Sequence, residues 1–126
     1  MKTWSTVVSA GLVGLSVGAA VVHGVYAQAK PPAYTIAEFE VTDPATFQKY
    51  GAATGSGIPA AGGRFIVRGA KTYVLNGPAP KQIVVIQWDS LEKAQAYFES
   101  EAYKQLIQFR DKGANFRGFI VEGLPQ

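Results

Sequence analysis

The chain has 126 residues, of which 48% are hydrophobic and 17% charged, a composition typical of one globular domain rather than a disordered segment. The net charge is +3, but the lysines and arginines are scattered, so nucleic-acid binding, which needs a clustered basic face, is not expected. The absence of cysteine excludes disulfides, thiolate nucleophiles, iron–sulfur clusters and cysteine-based zinc sites.

Residues 1–27 have the pattern of a secretory signal peptide. Lys2 precedes an apolar, Gly- and Ala-rich run, and Val25-Tyr26-Ala27 matches a signal-peptidase site. We expect cleavage after Ala27, export to the periplasm or beyond, and a linker over 28–33. The alternative is an uncleaved N-terminal membrane anchor, since about 20 apolar residues can span a bilayer. A membrane would be a partner only in that case.

The first predicted strand is Tyr34–Val41, in which apolar and mixed positions alternate. A helix follows, with Asp43 as its N-cap and a proline in its first turn. Because glycine is a poor helix former, we expect this helix to end at Gly51 or by Gly55.

The second predicted strand is Arg64–Arg68, and it continues over Thr72–Asn76 after a bend at Gly69. A Pro- and Gly-rich turn then leads to Gln82–Trp88. This segment contains four consecutive β-branched apolar residues, which is typical of a central strand buried on both faces.

A second helical region begins after Trp88, with Asp89 or Ser90 as its N-cap. We expect a kink or break near Ser100 and a C-terminus at Lys112-Gly113. The last strand is Asn115–Glu122, and a tail covers 124–126.

The predicted order is β-α-β-β-α-β. This is the α+β, ferredoxin-like arrangement, in which two helical segments cover one face of a four-stranded antiparallel sheet with strand order 4-1-3-2. The domain is predicted to span 34–123.

The side chains of Gln82–Trp88 predict a homodimer. The helices can cover only one face of the sheet, yet Val84 and Ile86 point to one side while Ile83 and Val85 point to the other. An uncovered apolar face of this size is rare in a soluble monomer. We therefore expect two sheets to pack face to face as a closed or nearly closed barrel.

Four segments carry a family resemblance: YTIAEFEVTDPATFQKY, GGRFIVRGA, IVVIQWDSLEKAQAYFESEAYKQL and FIVEG. Together they resemble the DUF1330 family, a domain of unknown function, over 33–123. The resemblance implies the dimeric α/β-barrel superfamily. Its members include cofactor-independent monooxygenases of aromatic polyketides, haem-degrading enzymes, chlorite dismutase-like proteins and small stress-responsive barrels. The family name itself implies no reaction.

The single histidine, His23, lies in the predicted signal peptide. The mature chain would therefore have no imidazole, so a histidine-dependent metal site, haem ligation by histidine and Ser-His catalysis are not expected. We predict no metal and no cofactor.

Carboxylates, arginines, tyrosines and amides remain as candidates for binding a small molecule: Glu38, Tyr50, Arg68, Gln87, Tyr103 and Arg110. A Glu38/Arg68 pair with tyrosine hydroxyls could hold a small anionic or phenolic molecule inside one half of a barrel. The alternative is that Glu38 and Arg68 form a structural ion pair or stay solvated. Trp88 is expected in the core or at the dimer interface.

Three functions are compatible with these residues. The first is an exported homodimer that holds a small, partly apolar or anionic molecule without transforming it, as a binding or stress-type module. The second is a cofactor-independent monooxygenase or isomerase acting on a phenol or enol. The third is a structural dimer with no ligand.

Overall fold

The computed structural model describes residues 30–69 and 71–126, so the predicted signal peptide lies outside the described residues. Pro31–Gln126 form one compact unit. In chain order its elements are β1 (Ala33–Val41), α1 (Pro44–Ala60), β2 (Arg64–Arg68), β3 (Gln82–Trp88), α2 (Leu91–Phe98), α3 (Glu101–Lys104), α4 (Ile107–Gly113) and β4 (Ala114–Glu122).

The four strands form one antiparallel sheet in the order β2-β3-β1-β4. This is the predicted order 4-1-3-2 read from the other edge, so the predicted α+β, ferredoxin-like fold is confirmed. β3 and β1 are central, and β2 and β4 are the edges. The barrel made from two sheets remains a prediction, because it requires a second chain.

The helices cover one face of the sheet and form the core with it. Alternate side chains of β1 and β3 point toward the helices and are buried, among them Phe39 and Ile86. Trp88 is 1% exposed, and its indole Nε1 donates to Thr35 Oγ1 at 3.0 Å. Because this bond satisfies the indole N–H, the largest side chain of the core is buried without loss of hydrogen bonding. Trp88 therefore belongs to the core.

Helix α1 is longer than predicted. It begins after the Asp43 N-cap, as expected, but continues through Gly51 and Gly55 to Ala60. Tertiary packing outweighs the low helix propensity of glycine here. A Cβ on Gly55 would lie 3.3 Å from Arg68 Nη2, and one on Gly57 would lie 3.2 Å from Tyr97 Oη. The glycines thus let two long side chains approach the helix closely.

The second helical region is broken where the sequence predicts it. Ser90 is the N-cap of α2 and accepts from Lys93 N. Ser100 Oγ accepts from Tyr103 N and so caps α3. The last helix, α4, ends at Gly113 as predicted.

The predicted continuation of the second strand over Thr72–Asn76 is wrong. β2 ends at Arg68, and residues 71–80, which we call the arm, are exposed and form neither helix nor strand. The irregularity in the strand lies before Gly69, as a β-bulge between Phe65 and Val67. The arm has no neighbouring strand within the described chain to pair with, and strand-forming residues such as Tyr73 and Val74 favour a strand only beside such a partner.

The other face of the sheet, which we call the open face, carries apolar side chains with no helix over them. Ile36 and Val85 lie at its centre and are only half-buried. Ile66, Phe119 and Val121 are 46%, 49% and 43% exposed. The sequence-based expectation of an apolar face that the chain's own helices do not cover is therefore met. Among the described residues, no helix combines the length and apolarity needed to cross a bilayer.

Two helical glycines give a matched test of the packing. A Cβ on Gly113 would lie 2.6 Å from the Phe47 backbone nitrogen, whereas one on Gly51 would meet nothing within 4 Å. We expect Gly113→Ala to lower the free energy of unfolding by about 1–3 kcal/mol through overpacking. We expect Gly51→Ala to raise it by about 0.5–1 kcal/mol, because alanine restricts the unfolded chain and favours helix. Urea unfolding measures both changes, and equal stability of the two variants would contradict the described packing.

Candidate functional site

Three of the six predicted residues meet between the helices and the sheet. Tyr50 comes from α1, Tyr103 from α3 and Arg110 from α4. The two phenol oxygens are 2.8 Å apart, and Arg110 Nη1 donates to Tyr103 Oη at 3.2 Å. Tyr50 is 6% exposed and Tyr103 is 3% exposed. We call these residues the Tyr50–Tyr103–Arg110 cluster.

Arg110 is held in place by two further contacts. Its guanidinium lies over the Phe116 ring, 4.4 Å from the centroid, and its Nε donates to Asp111 at 2.9 Å. Burial alone would lower the pKa of Arg110, but the hydrogen bonds to Asp111 and Tyr103 outweigh it and raise that pKa. Arg110 is therefore a fixed cation.

The Tyr50 phenol remains neutral. Burial, helped by the neighbouring Tyr103, raises the pKa of Tyr50 far above its usual range, although Arg110 opposes the shift. Two hydroxyl groups carry two protons, and one of these closes the bond between Tyr50 and Tyr103. Whichever phenol donates, the proton of the other remains available for an acceptor.

A groove of about 310 Å³ lies beside the cluster. Tyr103 and Arg110 supply its polar wall, and Phe98, Ile107 and Phe116 are among its apolar lining residues. A smaller cavity of about 70 Å³ adjoins it under α1 and is lined by Tyr50, among others. The two spaces share Thr35, Phe98 and Phe116. Together they are an apolar cleft with one charged end, which suits a flat ligand that carries an anionic or acceptor group.

Thr35 lines both spaces of this cleft and is not among the six residues that the sequence predicts. Its Oγ1 accepts from Trp88 Nε1, so its own hydroxyl proton is available for an acceptor in the cleft. The signal was present in the sequence. Thr35 is the polar residue among the alternating side chains of β1 that point toward the helices, in line with Ala37 and Phe39.

Arg68 lies at the far end of the smaller cavity, away from the cluster. Its guanidinium lies 4.4 Å from the centroid of the Phe65 ring. Without a bulge, Arg64 and Arg68 would point to the same side of β2. The bulge at Ile66 shifts the alternation, so that Arg68 pairs in register with Val84 and points toward the helices.

Glu38 and Gln87 lie on the open face, outside the cleft. Glu38 accepts from Lys81 N at 3.0 Å, and Gln87 accepts from Arg64 Nη2. The predicted Glu38/Arg68 pair is therefore wrong, because the sheet separates the two side chains. Within residues 30–69 and 71–126, no group of three acidic, histidine or cysteine side chains is arranged to hold a metal ion.

The raised pKa of Tyr50 predicts a pH dependence of stability. Below pH 10, the ordinary pKa of a phenol, Tyr50 is neutral in both the folded and the unfolded chain, so its contribution to the free energy of unfolding is fully present. Above this pH only the unfolded chain ionises Tyr50, so the free energy of unfolding falls by up to about 1.4 kcal/mol per pH unit. Urea unfolding between pH 9 and 11.5 should show a shallower fall for Tyr50→Phe. Parallel curves for the two proteins would contradict burial of the Tyr50 hydroxyl.

Comparison with solved structures relates this fold to several small proteins. A protein of unknown function from Rhodopseudomonas palustris has a TM-score of 0.62 at 14% identity, with 82% of this chain and 92% of that chain covered. SnoaB, a cofactor-independent oxygenase from Streptomyces nogalater, has a TM-score of 0.53 at 13% identity, with 76% and 96% covered. A dimeric ferredoxin-like protein of unknown function from Thermobifida fusca has a TM-score of 0.50 at 16% identity, with 75% and 92% covered. At such identities the likeness concerns the fold.

Comparison of the sequence with curated proteins gives no significant match. A family profile, in contrast, matches residues 32–124, which include all four strands and the complete Tyr50–Tyr103–Arg110 cluster. The chain therefore belongs to the DUF1330 family, a domain of unknown function.

Proposed function

We propose that this chain is the subunit of an exported homodimer that binds a small aromatic molecule, anionic or phenolic, in the groove beside Arg110. The observation that carries the proposal is a fixed cation beside the Tyr103 hydroxyl at one end of a mostly apolar groove. The molecule is held without being transformed, as expected of a binding or stress-type module.

The charge balance of the cleft supports an anionic ligand. The Arg110 side chain is 17% exposed, and its carboxylate partner is Asp111, whose side chain is 56% exposed. Within the described residues, no acceptor is within hydrogen-bond range of Arg110 Nη2. Since no buried side-chain nitrogen of the described residues lacks a hydrogen-bond partner, Arg110 Nη2 is accessible from solvent and can donate to a ligand that enters the groove. A carboxylate or phenolate would supply the acceptor through a charge-assisted hydrogen bond.

The walls and volume of the groove restrict the rest of the ligand. Phe98, Ile107 and Phe116 present ring edges and methyl groups rather than polar atoms. A volume of about 310 Å³ is at the lower end of the range of roughly 300–1,000 Å³ found for ligand pockets. One or two fused aromatic rings with a single acidic group match this space.

The open face supports the homodimer. Its exposed apolar side chains form a continuous surface with Ile36 and Val85 across four strands. A second copy would present the same surface, so a two-fold pairing would cover both at once. The Thermobifida fusca relative of similar fold is described as dimeric. Apolar sheet faces packed in this way would lie about 10 Å apart.

Cofactor-independent oxygenation is a second candidate, and the same cluster favours it. Arg110 and the Tyr103 hydroxyl would stabilise the enolate or phenolate of a substrate that has lost its proton to water, and this anion would itself supply the electrons that reduce O₂, with one oxygen atom entering the product and the other leaving as water. SnoaB, which has a similar fold, is described as a cofactor-independent oxygenase. Oxygen uptake with anthrone, measured against the rate without protein, distinguishes this candidate from simple binding.

Calorimetric titration with 2-naphthoate and with uncharged 2-naphthalenemethanol tests the binding proposal. A hydrogen bond to a charged group contributes about 1.5–3 kcal/mol, so we expect the carboxylate to bind roughly 10- to 100-fold more tightly. Arg110→Met should abolish this preference. Tyr103→Phe, which removes one hydroxyl, should reduce it in part.

Lys112→Met is the matched control for the titration, since it removes a positive charge from an exposed position of the same helix. It should leave the preference unchanged. An equal loss in the Lys112→Met and Arg110→Met variants would show that net charge, rather than the groove, attracts the carboxylate. Failure of the wild-type protein to bind either compound would leave the structural dimer without ligand as the better account.

Sedimentation equilibrium tests the homodimer. We expect twice the mass of the chain, and the intact mass of the exported sample should correspond to a chain that begins at Gln28. Val85→Asp places an unpaired carboxylate in the centre of the open face and should yield monomers, because burying it would cost several kcal/mol. Gln95→Asp, on the exposed side of α2, is the control and should remain dimeric. A monomeric wild-type protein at micromolar concentration would contradict the proposal.

A further inference from the structure

The connection between β2 and β3 is much longer than the hairpin requires. β2 ends at Arg68 and β3 begins at Gln82, so 13 residues connect two neighbouring antiparallel strands. Most such connections need about two to five residues. The extra length is the arm, residues 71–80, and it needs a physical explanation.

The arm is apolar and does not pack on its own chain. Tyr73 and Leu75 are 89% and 92% exposed, and Val74, between them, is 41% exposed. Lys71 is the one charged residue between 71 and 80. Single exposed apolar residues are common, but three consecutive ones on a projecting segment are typical of a segment that docks on another surface.

The β4 edge presents an uncovered surface of the same character. β4 is nine residues long and lies at the edge of the sheet, and its Phe119 and Val121 are 49% and 43% exposed. Long exposed edge strands are usually covered or paired, since their backbone groups can otherwise pair with any extended segment. The groove beside Arg110 opens along this edge, where Gly118 and Phe119 line it.

The arm cannot easily reach the β4 edge of its own chain. It leaves the sheet at β2, and β4 is the opposite edge, three strand spacings or about 14 Å away across β3 and β1. The exposure of Tyr73 and Leu75 agrees with this separation. A two-fold axis parallel to the strands, in contrast, would stack two sheets with β2 of one copy over β4 of the other.

We propose that the arm of each copy docks along the β4 edge of a second copy and closes the mouth of its groove. The inference rests on the homodimer proposed above and adds that each ligand site is completed by the partner. One interface then covers the arm together with the β4 edge, whose Phe119 and Val121 also belong to the open face. The residues that close each ligand site therefore belong to the partner copy, not to the chain that forms the site.

Cross-linking of engineered cysteines tests the docking without any ligand, because the natural chain has no cysteine. Copies with Tyr73→Cys and copies with Phe119→Cys, each with a tag of different mass, are mixed and treated with a short bismaleimide. We expect a covalent heterodimer as the main product. Tyr73→Cys mixed with Gln95→Cys, on the exposed side of α2, should give only the background of random collision.

A third mixture identifies the alternative arrangement. If the two-fold axis ran across the strands, β2 would stack on β2, and Tyr73→Cys would react with Ile66→Cys of the other copy rather than with Phe119→Cys. That result, in a protein that sediments as a dimer, overturns the arm proposal and leaves the homodimer intact. A monomeric protein that gives no heterodimer overturns both.

Mixed dimers test whether the arm completes the groove of the partner. One copy carries Tyr73→Ser and Leu75→Ser with an intact groove, and the other carries Arg110→Met with an intact arm. Neither protein alone should bind 2-naphthoate tightly, whereas the mixture should recover tight binding in one site per mixed dimer. Tight binding by the arm variant alone would contradict closure by the arm. If the wild-type protein does not bind 2-naphthoate, the ligand proposal fails, and the cross-links still decide the docking.

Discussion

The structure depends on a sheet whose two faces are both apolar, although its own helices cover only one. On the helical side the helices cover the sheet so fully that Trp88 is only 1% exposed, and its indole N–H donates to Thr35. On the other side Ile66 and Phe119 remain about half exposed. Burial of apolar surface contributes roughly 25 cal/mol per Å², so a face of this kind is a substantial driving force for association.

The same sheet explains why a cleft exists beside the helices. Three short helices, rather than one long one, follow β3, and the breaks at Ser100 and after Lys104 turn the chain around Tyr103. This arrangement brings α3 and α4 over the sheet with Tyr103 and Arg110 pointing toward the β4 edge. Aromatic side chains fill most of the space, and the Phe116 ring occupies the position beside Gly118, where a Cβ would lie 2.5 Å from its Cζ. The proposed ligand site rests on this polar cluster at the end of an apolar space.

Much of the fold could be predicted because the dominant signals are local. The double-sided apolarity of β3, the alternation in β1 and the capping residues Asp43 and Ser100 all act within a few residues of the chain. The end of α1 could not be predicted in this way. Its glycines are tolerated because Arg68 and Tyr97 pack against them, and these contacts come from distant parts of the sequence. The arm resembles a strand in sequence because Thr72, Tyr73 and Val74 are common strand residues, while the strand that would pair with it is absent from the described chain.

The site was less predictable than the fold. Tyr103 and Arg110 are two helical turns apart, so their proximity could be expected, but Tyr50 joins them from 53 residues away through tertiary packing. Glu38 lies on the face away from the helices, as the period of two in a strand requires. The side of Arg68 does not follow from that period, because a one-residue bulge reverses the side to which every later side chain of a strand points. The bulge itself has no clear signature in the five residues of β2.

Isotope-filtered NMR can show whether the open face is the contact surface between two copies. In a mixture of labelled and unlabelled chains, nuclear Overhauser effects can be selected that connect one copy to the other. We expect such effects between the methyl groups of Ile36 and Val85 in one copy and open-face side chains of the other. Intermolecular effects confined to the helical surface would contradict an interface on the open face. So would the absence of any intermolecular effect, together with contact between water and the methyl groups of Ile36 and Val85.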